Sequence, residues 1–93
     1  MREKSLERML VRAVKNVGGL ALKFVSPGMA GVPDRLVLLP GGRMAFVEMK
    51  APGKEPRPLQ RLRHEQLRDL GFRVVVVDGK EKIGEMMNEI CSS

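Results

Sequence analysis

Acidic and basic side chains that suit metal-assisted chemistry stand at the ends of two consecutive predicted strands. Asp34 precedes one apolar run, and Glu48 and Lys50 end a second run, with Glu48 fourteen residues after Asp34. Side chains alternate faces along a strand, so Glu48 and Lys50 point the same way. If the strands pair as a hairpin about Gly41-Gly42, Asp34 lies across from the Glu48 to Lys50 end of the second strand. We therefore expect two carboxylates and one ammonium to meet at one edge of a sheet.

These three side chains have a definite chemical use. Two carboxylates held close together repel each other, and a divalent cation relieves the repulsion. Hard oxygen ligands with a lysine beside them suit a metal-assisted attack on a phosphodiester. The alternative is an exposed strand end at which Glu48 and Lys50 form an ion pair. Spacing and position alone leave that alternative open, because acidic and basic residues recur on many strands.

Length and charge restrict the class of protein. The 93 residues predict one domain over residues 1–93, for which self-association would add buried surface. The chain has 17 Lys and Arg against 11 Asp and Glu, a net charge of +6 that favours an anionic partner, most often nucleic acid. With three Phe and neither Trp nor Tyr, a single-strand platform built on base stacking is not expected.

Cysteine content and hydropathy exclude other classes of protein. The single cysteine, Cys91, rules out an internal disulfide and a multi-cysteine zinc site, and it fits a reducing compartment. The charged N-terminus carries no apolar segment of the kind found in signal peptides. The longest purely apolar runs are four residues, so no membrane span is expected.

Hydrophobic periodicity predicts the order α-β-β-β-α-β-α. The predicted elements are a helix over 3–17, a strand over 20–25, a hairpin of 34–39 and 43–50, a helix over 59–70, a strand over 72–77 and a helix over 80–90. A hairpin strand followed by a crossover helix and a final strand implies a mixed sheet with that helix on one face. The expected fold class is therefore α/β.

Five sequence motifs along the chain carry a family resemblance. They are Gly18-Gly19, Lys23-Phe24-Val25-Ser26-Pro27-Gly28, Gly31-Val32-Pro33-Asp34-Arg35, Glu48-Met49-Lys50 and Gln60. In this order they resemble the VRR-NUC domains, the virus-type replication-repair nucleases of the PD-(D/E)xK superfamily, and especially their stand-alone phage members. The resemblance covers nearly the whole chain. Glu-x-Lys alone is unspecific, whereas Gly-Val-Pro-Asp with Glu-Met-Lys and a downstream Gln is much more specific.

The resemblance implies both a fold and an activity. It implies a small mixed sheet flanked by helices with a restriction-endonuclease-like core, a Mg²⁺ or Mn²⁺ cofactor, and endonuclease activity on DNA. It further implies a structure-sensitive substrate such as a branched or four-way junction, cut by a homodimer, in the cytoplasm of a bacterial or phage-infected cell. The alternatives are a duplex or flap nickase, a non-catalytic basic DNA-binding module, or an accessory subunit of a larger replication protein.

Site roles follow from the same resemblance. Asp34 and Glu48, with the backbone carbonyl of Met49, are expected to hold the metal through oxygens. Lys50 is expected to orient the attacking water or to offset charge on the phosphoryl oxygens. Gln60 is expected to hydrogen-bond a metal ligand or metal-bound water, although taken alone it would more often be a surface residue.

The family also carries a glutamate on its first helix that faces the site, and Glu3 and Glu7 are the two candidates. At about 100° per residue, the apolar stripe centres near Leu6, Ala13 and Val17, with Glu3 about 50° and Glu7 about 90° from that centre. We favour Glu3 as this catalytic acid and as a further metal ligand. The alternative is that both are first-turn acids stabilised by the helix dipole.

Basic residues on and around the second predicted helix could form a stripe that tracks phosphates. They are Arg57, Arg61, Arg63, Arg68 and Arg73. The DNA-binding residues predicted here are Lys23, Ser26, Arg57, Arg61 and Arg68. A solvated helical face is the alternative for the arginines, and surface positions are the alternative for the other two. The lone histidine, His64, is expected at the surface rather than as a ligand or base.

Overall fold

The computed structural model describes residues 2–92, and its seven elements follow the predicted order. They are α1 (Glu3–Asn16), β1 (Leu20–Lys23), β2 (Arg35–Leu39), β3 (Arg43–Met49), α2 (Pro58–Asp69), β4 (Val74–Val77) and α3 (Lys80–Cys91). The last strand begins two residues later than predicted because the Phe72 N–H donates to the Leu67 carbonyl and so completes the end of α2. No described helix combines the length and hydropathy needed to cross a bilayer.

The four strands form one mixed sheet in the order β1-β2-β3-β4. β1, β2 and β3 are antiparallel neighbours, and β3 and β4 are parallel. The β2–β3 hairpin turns at Gly41 and Gly42, whose φ angles of +84° and +74° glycine adopts without a Cβ penalty. The register pairs Arg35 with Val47, so Asp34 comes opposite Glu48, as predicted.

Helices α1 and α3 pack on one face of the sheet and form the core with it. Leu6, Leu10 and Val14 of α1 are fully buried there. Val17 is 46% exposed and Ala13 is only partly buried, so the predicted centre of the apolar stripe is wrong. The observed centre lies about 30° closer to the glutamates, about 20° from Glu3 by helical geometry.

The opposite face of the sheet is apolar and only partly covered. Phe24, Phe46 and Phe72 form a cluster on it, with ring centroids 5.5 Å and 5.9 Å apart. On β1, Leu20 pairs with Leu38 and Leu22 with Leu36. Leu20 and Leu22 are 59% and 44% exposed, so the β1 end of this face is open in the described part of the chain.

Candidate active site

The hairpin brings the sequence-predicted side chains to one cleft of about 570 Å³. The polar residues that line it include Glu3, Asp34, Glu48, Lys50 and Gln60. Asp34 stands just before β2, Glu48 and Lys50 lie at the end of β3, Gln60 lies in the first turn of α2, and Glu3 begins α1. Four elements, α1, β2, β3 and α2, therefore meet at one end of the sheet.

Asp34 is held at both its backbone and its carboxylate. Its carbonyl accepts a 2.9 Å hydrogen bond from the Phe24 N–H, and its Oδ1 accepts one of 3.0 Å from the Met49 N–H. Burial raises the pKa of Asp34 above its ordinary value, and the negative charges of Glu7 and Glu3 raise it further, while the Met49 N–H opposes the shift. The Asp34 carboxylate is thus held where its negative charge is unfavourable.

Glu48 is the more strongly perturbed acid. Its residue is only 3% exposed. Burial, followed by the charge of Asp34, raises the pKa of Glu48 to about 7, although Lys50 partly offsets the shift. Ionising both neighbouring carboxylates is unfavourable. A bound cation would therefore lower the free energy of the ionised site.

The donor set of the cleft fits a hard divalent cation. Within residues 2–92, no group of three or more His, Cys, Asp or Glu side chains is arranged to hold an ion. Asp34 and Glu48 nevertheless supply two carboxylates. The main chain of Met49 lies beside both, because Met49 follows Glu48 in the chain and its N–H donates to Asp34 Oδ1. A cation held by so few protein oxygens would keep several waters, which is the usual habit of Mg²⁺.

Two side chains of α2 position the Glu48 carboxylate. The Gln60 Nε2 donates to Glu48 Oε2 at 3.4 Å, while Gln60 Oε1 accepts a 2.8 Å hydrogen bond from the Arg57 N–H. His64 Nε2 lies 3.4 Å from Glu48 Oε1. Gln60 thus lies where the family resemblance implies, as a hydrogen-bond partner of an expected metal ligand.

The surface position predicted for His64 is wrong, because the residue is only 2% exposed. Burial lowers the pKa of His64, as do the charges of Arg68 and Lys50, so the ring is neutral at neutral pH. Its contact with Glu48 is therefore a hydrogen bond and not an ion pair. The spacing of Gln60 and His64, four residues apart on one helix face, is the sequence signal that could have linked them.

The two glutamates of α1 have separate environments. Glu3 lines the cleft, and its charge raises the pKa of both Asp34 and Glu48. Glu7 accepts a 3.4 Å hydrogen bond from Arg35 Nη2 and forms an ion pair with that buried guanidinium. The structure thus places the favoured Glu3 among the other candidate site residues and gives Glu7 a partner outside the cleft.

The predicted DNA-binding residues are scattered. Arg57 lines the cleft, whereas Arg61 is held by Glu55 Oε2 at 2.8 Å and Arg68 by the Val74 carbonyl at 2.8 Å. Lys23 is exposed on the edge strand β1, and Ser26 is half-buried in the following loop. The structure does not bring Lys23, Ser26, Arg61 or Arg68 into the lining of the cleft.

The loop that delivers Asp34 depends on Gly31. Its φ is +88°, and an added Cβ would lie 2.8 Å from Leu59 Cγ and 3.2 Å from the Leu59 carbonyl oxygen. We expect Gly31→Ala to destabilise the fold by about 2 kcal/mol through backbone strain and the clash with α2. Urea denaturation measures the loss. Gly28→Ala is the control, since nothing lies within 4 Å of its Cβ position, and equal losses in the two variants would contradict this interpretation.

Two comparisons identify the family. A solved structure described as a "VRR_NUC domain" superposes with a TM-score of 0.86 at 32% sequence identity, covering 92% of this chain and 94% of that one. A relative named "Putative nuclease p44", from Acyrthosiphon pisum secondary endosymbiont phage 1, is 53% identical over 81 residues, which is 87% of each chain. The chain belongs to the VRR-NUC family. No family model matches it.

Membership of the VRR-NUC family confirms the resemblance read from the five motifs and the predicted α/β fold with a mixed sheet. The protein is thereby assigned as a nuclease of the VRR-NUC type. The 53% identity to a phage protein also agrees with the resemblance to phage members of the family.

Proposed function

We propose that this VRR-NUC protein is a divalent-metal-dependent DNA endonuclease that hydrolyses phosphodiester bonds in the cleft of Asp34, Glu48 and Lys50. One observation carries the proposal. The buried Glu48, whose pKa is raised to about 7, shares its cleft with Asp34, whose pKa is also raised, and with a lysine. Such perturbed acids in a cleft mark functional sites more often than structural ones.

Asp34, Glu48 and the Met49 carbonyl would hold Mg²⁺ or Mn²⁺, with Glu3 as a further acid beside them. Bound there, such a cation polarises the scissile phosphate and lowers the pKa of water at the site. Lys50 places a positive charge where negative charge builds on the phosphoryl oxygens, or it orients the attacking water. Gln60 and His64 keep the Glu48 carboxylate in one orientation through their hydrogen bonds to its two oxygens.

We further propose that the enzyme is a homodimer selective for branched or four-way-junction DNA. The support is the open apolar face at β1, where Leu20 and Leu22 are exposed beside an unpaired strand edge. A second copy would cover this face and place two clefts about a two-fold axis, an arrangement suited to paired incisions. This activity would take place in the cytoplasm of a bacterial or phage-infected cell.

The dimer proposal makes a measurable prediction. Leu22→Lys is expected to shift the protein from dimer to monomer at micromolar concentrations, because a buried lysine at an apolar interface is strongly unfavourable. Sedimentation equilibrium reports the mass. Val17→Lys, at a side chain of similar exposure at the end of α1, should stay dimeric. A monomeric wild type, or a dimeric Leu22→Lys variant, would contradict the proposal.

Cleavage assays test the proposed activity and its substrate. Four-way-junction, flap and linear duplex DNA are incubated with the wild type in Mg²⁺, Mn²⁺ or EDTA. We expect symmetric cutting of the junction with either metal and none in EDTA. Equal cutting of all three substrates would favour a nickase without structural preference. Binding that survives EDTA with no cutting in either metal would instead indicate a non-catalytic module, and cutting only with an added replication protein would indicate an accessory subunit.

A further inference from the structure

The outward side of α1 carries a row of cations that the cleft does not use. Its members are Lys4, Arg8, Arg12 and Lys15, here called the α1 basic face. At 3.6 residues per turn they fall within about 80° of one another, on the side opposite the buried Leu6, Leu10 and Val14. All four are exposed. Within residues 2–92, none of their side chains has a hydrogen-bond or ion-pair partner.

The acids of the same helix do not neutralise this face. Glu3 lines the cleft, and Glu7 is paired with Arg35. In the described part of the chain, the α1 basic face therefore presents four positive charges that are not paired with an acid. Such a concentration of one sign of charge on a single helix face attracts an anionic partner.

The arginines of α2 are less available. Arg61 is bonded to Glu55 and to the Pro56 carbonyl, Arg63 to the Ala30 carbonyl and Gln66, and Arg68 to the Val74 carbonyl. Contact with a phosphate would require each guanidinium to share or break a protein hydrogen bond. The cations of the α1 basic face have no hydrogen bond to another described residue that a phosphate would have to replace.

The α1 basic face begins at the same end of α1 as the cleft. Lys4 directly follows Glu3, which lines the cleft, and the face shares a depression with Glu7 and Arg35. The Glu7–Arg35 ion pair lines that depression, and the buried Nε of Arg35 has no hydrogen-bond partner among the described residues. From Lys4 to Lys15 the helix rises about 17 Å, which matches about five nucleotides at 3.4 Å per strand position.

We infer that the α1 basic face binds the phosphate backbone of the substrate DNA beside the scissile phosphate. The inference rests on the proposed function, since it assigns the path of the DNA that the cleft would cut. It replaces the α2 arginines as the main phosphate contact. The contact would be independent of sequence, because no base-reading group is involved.

The test compares two charge-matched double variants. Arg8→Gln/Arg12→Gln removes two charges from the α1 basic face. Arg43→Gln/Lys82→Gln removes two from depressions on the β4 side of the sheet. Glutamine preserves helix propensity, and circular dichroism confirms folding. Affinity for a fluorescent four-way junction is measured in EDTA at salt concentrations from about 50 to about 200 mM. Over this range the release of counterions from DNA changes the affinity strongly.

We expect the slope of log affinity against log salt to become shallower by about 1.8 in the α1 variant, which corresponds to two phosphate contacts. The β4-side variant should keep the wild-type slope.

Three outcomes separate the inference from the proposed function. An unchanged slope in the α1 variant, or equal changes in both variants, overturns the inference while leaving the nuclease assignment intact. A shallower slope in the α1 variant only, with a wild type that never cleaves in Mg²⁺ or Mn²⁺, supports the DNA path and contradicts the nuclease. A wild type that does not bind the junction at all overturns the inference as well.

Discussion

The Lys50→Ala variant is expected to cleave DNA about 10³-fold more slowly than the wild type at saturating metal. Lys50 follows β3, its N–H donates a 2.9 Å hydrogen bond to the Val77 carbonyl, and its side chain lines the cleft. The substitution keeps that backbone bond and removes the ammonium that would offset charge on the phosphoryl oxygens. An ammonium is not a metal ligand, so the oxygens of Asp34 and Glu48 remain in place for the cation.

Single-turnover cleavage and Mn²⁺ calorimetry together test this expectation. The charge of Lys50 opposes the rise in the pKa of Glu48, so its loss raises that pKa further, and metal binding should be compared above pH 8. Lys54→Ala is the matched control, because Lys54 lines the same cleft from an exposed loop. We expect the control to lose less than about tenfold. A Lys50→Ala variant that cuts within a few-fold of the wild type would remove Lys50 from the catalytic centre.

The Glu48→Gln variant is expected to gain stability and lose activity at pH 8. The pKa of Glu48 is raised from 4.5 to about 7 in the folded protein. The folded state therefore holds the proton more tightly than the unfolded state, and stability falls as the pH rises from about 4.5 to about 7. At about 1.4 kcal/mol per pKa unit, the metal-free wild type loses about 3 kcal/mol through this group. The amide cannot ionise, so the variant escapes this loss.

Urea denaturation in EDTA at pH 5 and pH 8 measures the effect. The free-energy difference between Glu48→Gln and the wild type should rise by about 3 kcal/mol from pH 5 to pH 8. Added Mg²⁺ should stabilise the wild type at pH 8 more than the variant, because the variant has lost one of the two carboxylate ligands. Glu65→Gln, at an exposed position of α2, is the control. Suppose instead that the free energies of unfolding of Glu48→Gln and the wild type change equally between pH 5 and pH 8. That result would contradict the interpretation of Glu48 as a buried acid that resists ionisation.

The relative position of Asp34 and Glu48 could be predicted from local sequence rules. The glycine turn at Gly41 and Gly42 sets the hairpin register, and the two-residue period of a strand then puts Asp34 opposite Glu48. The favoured Glu3 also lies in the cleft, although the predicted stripe centre was displaced. The error arose because the prediction centred the stripe on Ala13 and Val17, whereas the fully buried residues of α1 are Leu6, Leu10 and Val14.

Tertiary partners account for what the sequence could not predict. His64 is buried because α2 lies across the end of β3, where Glu48 provides a polar partner sixteen residues away. An interpretation based on hydrophobic periodicity treats histidine as a polar residue. It cannot reveal a hydrogen-bond partner that is distant in sequence. The arginines of α2 were expected to face DNA, yet Arg63 reaches a carbonyl 33 residues away. Only the fold shows that these charges are engaged and that, among residues 2–92, the side chains of the α1 basic face have no hydrogen-bond or ion-pair partner.

One measurement tests most directly whether the cleft of Asp34, Glu48 and Lys50 is a metal-dependent catalytic centre. It is the single-turnover rate of four-way-junction cleavage by the wild type and Asp34→Asn across a series of Mn²⁺ concentrations. The asparagine Oδ1 can still accept the Met49 hydrogen bond, so the variant should fold and bind the junction. We expect metal-dependent cleavage by the wild type and none by Asp34→Asn at any concentration. Cleavage by the variant at the wild-type rate, or by the wild type in EDTA, would contradict this assignment.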